Sequence, residues 1–144
     1  MKFDKLHSGK NPSIALAPVA AAVADNTTQV TTTLDLAGCH AAELYILTGT
    51  LADAGAEFTL TMYEGDAANM SDEAAVADAD LLGTEALASF TQADDSKVFK
   101  IGYVGNKRYI RGKIVITNNA GNAPMAAMWL TSKDRASAAT NPPA

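Results

Sequence analysis

The sequence has little of what small catalytic and metal sites are usually built from. It holds one cysteine, Cys39, and two histidines, His7 and His40. A lone thiol excludes an intrachain disulfide, and one thiol with two imidazoles does not supply the ligands of a usual structural zinc site. No cofactor is expected. Aromatic residues make up 6% of the 144 residues while 48% are hydrophobic, so much of the apolar content is alanine. A chain of this length fits one domain and can bury about two thirds of its unfolded surface. With so few large side chains, the core should be thin.

Long apolar runs are missing too, and no stretch approaches the roughly 20 apolar residues of a membrane-spanning helix. Lys2, Lys5 and Lys10 ahead of the run from Ile14 to Ala24 imitate a secretory leader. That run is alanine-rich, is broken by Pro18 and follows a polar lead containing Asp4 and Pro12, so it is read as part of the protein rather than as a cleaved leader.

Positive charge is absent from most of the chain. Residues 11–96 contain 14 Asp or Glu and no Lys or Arg, whereas residues 97–144 contain eight Lys or Arg and one acid, Asp134. The basic part can fold back on the acidic body of its own chain, or it can meet an acidic surface on another subunit; the sequence leaves both open. Nucleic acid is a poor partner for the acidic body, because a phosphate-binding face needs clustered positive charge.

What the sequence does contain is strand pattern. Val30, Thr32, Leu34 and Leu36 alternate with Gln29, Thr31, Thr33 and Asp35, as do Phe58, Leu60 and Met62 with Thr59, Thr61 and Tyr63. Period-two alternation marks half-buried strands. The near-continuous apolar run of Glu43–Thr48 predicts a strand buried on both faces. Further strands are expected at Ala86–Thr91, Val98–Val104, Tyr109–Thr117 and Ala126–Thr131, with Ile110, Ile114 and Ile116 on one face. Asn118–Asn122 is a turn, since Asn and Gly tolerate positive φ. Residues 65–80 form either a surface loop or one helical turn around Asp72–Ala77. Short strands between Gly and Asn turns predict an all-β fold, a β-sandwich or jelly-roll-like single domain. Its expected boundaries are an arm at 1–12, the sandwich at 13–131 and an extended tail at 132–144.

No catalytic constellation accompanies these strands. Cys39 and His40 are adjacent, and neighbours on an extended chain point apart. The acidic stretch Glu64, Asp66, Asp72, Glu73, Asp78 and Asp80 lacks calcium-loop spacing, because Ala68 and Met70 fall where ligands would be needed. No phosphate-cradling or dinucleotide motif is present. Carbohydrate sites favour stacking aromatics, and Trp129 is the one tryptophan. The chain is therefore read as a non-enzyme.

One motif is sharp. Lys100-Ile-Gly-Tyr-Val-Gly-Asn-Lys-Arg-Tyr-Ile-Arg111 reads as a β-hairpin turning at Gly105-Asn106, flanked by Tyr103 and Tyr109 and strongly basic. With Asp35-Leu-Ala-Gly38 and the strands at 44–49 and 58–64, it resembles a family of small tailed-phage virion proteins over residues 28–131. The chain departs from that family at Gly112, where a β-branched residue is the pattern, and in its alanine-rich loop.

The resemblance implies a β-sandwich head decoration or cement protein on the outside of the virion, made in the bacterial cytoplasm. Its implied partners are the major capsid protein and further copies of itself, as a dimer or trimer, with no membrane or nucleic acid. Phe3 and Leu6 in the arm, and Lys107, Arg108 and Arg111 in the basic motif, are the expected interface residues. Competing readings are a head-completion or tail component, a carbohydrate-binding or adhesive module, and a small hydrolase using the acidic loop.

Overall fold

A computed structural model describes residues 9–18 and 25–133. The described strands are β1 (Lys10–Leu16), β2 (Gln29–Val30), β3 (Leu34–Asp35), β4 (Cys39–Thr48), β5 (Glu57–Gly65), β6 (Ala74–Ala75), β7 (Leu81–Leu82), β8 (Phe90–Thr91), β9 (Val98–Tyr103), β10 (Tyr109–Thr117) and β11 (Met125–Lys133), with one short helix, α1 (Glu85–Ala88). They form two antiparallel sheets. One has the order β1-β11-β4-β9-β7; the other runs β2-β10-β5-β6, with β3 also on β10 and β8 also on β5. The second sheet therefore has split edges, β2/β3 on one side and β6/β8 on the other.

Counting each split edge as one position and leaving aside short β7, the sheets read 1-8-3-6 and 2-7-4-5 along the chain. This is jelly-roll order, in which successive strands mostly cross from one sheet to the other. The fold is an all-β jelly-roll sandwich, as the strand pattern predicts.

The alternating strands deliver the core. Phe58, Leu60 and Met62 from β5 and Ile110, Ile114 and Ile116 from β10 face Leu44, Ile46, Ile101 and Trp129 from the opposite sheet, all at most 2% exposed. Phe90 stacks between Phe58 at 4.8 Å and Phe99 at 5.3 Å. Trp129 donates its indole N–H to the Thr32 carbonyl at 3.0 Å, satisfying the one polar group this large side chain buries.

Several expectations need correction. The stretch 30–36 is not one continuous strand, and its first half is turned over: Gln29 and Thr31 are buried while Val30 is 43% exposed. Thr31 is held inward by the backbone of Gly112. Its N–H donates to the Gly112 carbonyl at 2.9 Å, and its hydroxyl accepts the Gly112 N–H at 2.9 Å. Thr32 then bonds back to β1, which breaks the ladder before Leu34.

On β4, Leu47 is 42% exposed, so that strand is buried on one face only. Ala86–Thr91 is not a strand throughout. It begins as α1, where the Thr84 hydroxyl accepts the Leu87 N–H at 3.2 Å as an N-cap, and only Phe90–Thr91 pair with β5. Residues 65–80 hold no helical turn at Asp72–Ala77: they form a loop interrupted by β6, which pairs with β5, and by a 3-10 turn at Asp78–Asp80.

The two ends are also redrawn. Lys10, Asn11 and Pro12, expected in an arm, pair with Ser132, Thr131 and Leu130, and the ladder continues to Lys133 opposite Cys39. Phe3, Leu6 and residues 134–144 lie outside the described residues.

Candidate protein interface

The basic motif is not a hairpin. β9 pairs with β4 and β7 in one sheet, while β10 pairs with β5, β2 and β3 in the other. Val104–Arg108 is therefore a crossover closing one end of the sandwich. A short Gly-Asn turn between two strands reads as a hairpin in sequence, but jelly-roll connectivity uses it to change sheets.

Tyr103 organises that crossover. Its ring is 4% exposed at the end of β9, and its hydroxyl donates to Glu64 Oε2 at 2.5 Å while accepting the Lys107 N–H at 3.0 Å. Burial, and next the bond to Glu64, push the phenol well above the usual tyrosine range, so it remains a donor. Gly105 lies against the ring. A Cβ there would sit 2.4 Å from the Tyr103 hydroxyl and 2.6 Å from Cζ, so no larger residue fits without displacing it.

The three basic residues expected at an interface are each paired within the chain. Lys107 meets Asp66 at 2.6 Å. Arg108 grips Asp35 with two parallel bonds, at 3.1 and 3.0 Å, and lies over the Tyr109 ring at 5.1 Å. Arg111 shares Glu73 with Lys113, whose ammonium stands 4.3 Å above the Tyr63 ring. The Arg108 bond, then the Ala37 N–H, hold the Asp35 carboxyl below its usual range, and the bond to Asp66 raises Lys107. Of the two charge readings, folding back onto the acidic body is the arrangement seen for these three residues. Lys107 and Arg108 nonetheless keep side-chain exposures of 46% and 56%, so both remain presented to solvent.

Beside the crossover is an open cleft of about 380 Å³ between Leu36–Ala42 and Tyr103–Arg108. Cys39 and His40 line it, yet among the described residues no three His, Cys, Asp or Glu side chains gather as a metal site. The acidic loop is occupied by its own chain: Asp72 accepts the N–H groups of Asp66 and Ala67, which lower its carboxyl pKa. Trp129, the aromatic a carbohydrate site would want on the surface, is 1% exposed.

Sequence reasoning found the basic residues but missed Tyr103 as their organiser, Gly105 as its seat, and Asp35, Asp66 and Glu73 as their partners. The legible signal for the partners was the division into an acidic body and a basic final third.

No known protein family and no curated protein matches the chain. Among solved structures, it is similar to the Clostridium thermocellum endo-1,4-beta-D-xylanase 10B CBM22-1–GH10 modules complexed with xylohexaose, at 16% identity and a TM-score of 0.43 over 71% of this chain. It is also similar to dimeric latent PorU from Porphyromonas gingivalis, at 8% identity and a TM-score of 0.41 over 88%. The chain spans only 18% and 13% of those two proteins.

Proposed function

We propose that this protein is a non-enzymatic structural subunit of a tailed-phage virion, decorating and cementing the head through contacts with the major capsid protein. The observation that carries the reading is the use made of its sharpest motif. Catalytic motifs leave reactive groups free for substrate, whereas here Tyr103, Lys107, Arg108 and Arg111 are all bonded to carboxylates of the same chain. The motif's chemistry is spent on fixing one end of a sandwich. Jelly rolls recur in viral capsid proteins, and that fold-level analogy points the same way.

In this reading the crossover end is the face toward the capsid, with Lys107 and Arg108 at its centre, and Phe3 and Leu6, outside the described residues, serve as further apolar anchors. The test is binding to empty capsids across a salt series. Lys107→Ala with Arg108→Ala should weaken attachment and flatten its salt dependence while melting stays essentially unchanged, because exposed ion pairs add little stability. Identical binding curves for the two proteins would remove this end from the contact.

A further inference from the structure

The two outer faces of the sandwich differ in kind. Outward positions on β5 and β10 carry Thr59, Thr61, Tyr63, Arg111 and Lys113, the last two tied to Glu73, and among the described residues the large apolar side chains exposed there are Val115 at 41% and, on β2 beside Lys113, Val30 at 43%. Across the other sheet the register aligns Ile14, Met128, Tyr45 and Lys100 in one row, Leu130 and Glu43 in a second, and Leu47 and Val98 in a third. Ile14 is 66% exposed and Val98 62%, with Leu82 beyond them at 55%. Among the described side chains, the charges on this face apart from Lys10 at its margin are Glu43, which accepts the Tyr45 hydroxyl at 2.8 Å, and Lys100. An antiparallel sheet facing water normally alternates apolar-in with polar-out, and this one does not. Contiguous apolar surface of this sort marks a protein contact.

We propose that the outer face of the β1-β11-β4-β9-β7 sheet binds a second copy of the same chain, forming a twofold dimer. Three features select that occupant. First, charge is self-complementary. Glu43 and Lys100 are diagonal neighbours on β4 and β9, one acid and one base. A twofold axis lying in the interface plane midway between them sets Glu43 of each copy over Lys100 of the other, as an isologous contact requires.

Second, the area suits a modest dimer. At ~4.8 Å between strands and ~3.4 Å per residue, the five strands, 7, 9, 10, 6 and 2 residues long, present roughly 550 Å² before side-chain relief, close to the ~600 Å² per partner where specific interfaces begin. Third, pairing through the β1 edge is obstructed. Pro12 lacks an N–H, and Thr32 donates its N–H and hydroxyl to the Ala15 and Ile14 carbonyls at 2.7 and 2.9 Å. On the opposite side β7 covers only Gly102 and Tyr103 of β9, so the face, not an edge, offers the broad apolar surface.

The inference does not depend on the capsid reading, since dimerisation is measured on the isolated protein and capsid binding separately. Sedimentation equilibrium should show a monomer–dimer equilibrium with a Kd of about 10–100 µM, as suits a small interface. Val98→Asp, Glu43→Lys and Lys100→Glu should each raise that Kd at least about tenfold. Combining Glu43→Lys with Lys100→Glu should restore it to within about threefold, because the swapped charges again oppose each other. Melting curves on each variant confirm folding. A wild-type protein that stays monomeric to about 500 µM, forms a trimer, or dimerises undiminished with Val98→Asp overturns the proposal. So does a double swap that fails to restore the dimer.

Discussion

Gly105 is seated against the phenol of Tyr103 so closely that a methyl group at its Cα would come within 2.4 Å of the tyrosine hydroxyl oxygen. The contact lets the crossover turn tightly enough for the Lys107 N–H to reach that same oxygen. Gly105→Ala should therefore displace Tyr103 and break its bond to Glu64. Overpacking of this kind costs about 1–3 kcal/mol, to be read as a lower urea midpoint with an unchanged slope. An unchanged midpoint would show that the ring moves aside freely.

Gly112 stands where the resemblance leads one to expect a β-branched residue, and its surroundings account for the glycine. A Cβ there would lie 3.0 Å from Leu44 Cδ2 and 3.2 Å from Leu60 Cδ1, with the Thr31 methyl at 3.5 Å. Leu44 and Leu60 crowd the space a side chain would take, and Thr31 is in ordinary contact beside them. Gly112→Val should destabilise by about 1–3 kcal/mol. Combining it with Leu44→Val, which shortens the tightest neighbour, should cost less than the sum of the two single changes. Equal stability of Gly112→Val and wild type would refute the packing account.

Stability should fall in acid partly through Glu73. Its carboxyl is held below the usual glutamate range, first by the hydrogen bond from Lys113 and then, against the opposing effect of burial, by Arg111. A carboxylate with a depressed folded pKa contributes stability above its unfolded value, about 4.3, and loses it as pH falls through the folded one. Wild type should melt higher than Glu73→Gln at pH 7, and the gap should close below about pH 4. A gap that stays constant with pH would mean the charge on Glu73 contributes nothing.

Neither chelator nor calcium should move the melting temperature. The carboxylates crowding residues 66–73 already accept N–H groups or ion-pair with Lys107, Arg111 and Lys113. A rise of several degrees on adding calcium, reversed by EDTA, would show that these bonds yield to a cation.

How much of this was legible depended on whether the cue was local. β5 and β10 stand where alternation put them, since each buries one face of every second residue, and Asn118 takes the positive φ of 55° its turn suggested. α1 was hidden because Ala-Leu-Ala fits a strand or a helix equally well in so short a window; the Thr84 cap was its only mark. Pro12 and the polar lead disguised β1, which as an edge strand tolerates both. The crossover read as a hairpin because the turn residues are the same, and only the burial of Tyr103 between sheets tells them apart. The partners of Arg108 and Arg111 lie 73 and 38 residues away, a distance over which no spacing rule operates.

The central claim is that the chain is a shell-bound structural subunit, and copy number tests it most directly. Quantitative mass spectrometry of purified particles, referenced to the major capsid protein, should find it on the order of hundreds of copies per virion, as binding to a repeating shell requires. Complete absence from particles would contradict the account. A count of about a dozen would also contradict it, because ring symmetry at a single vertex would make this a head-completion or tail component instead.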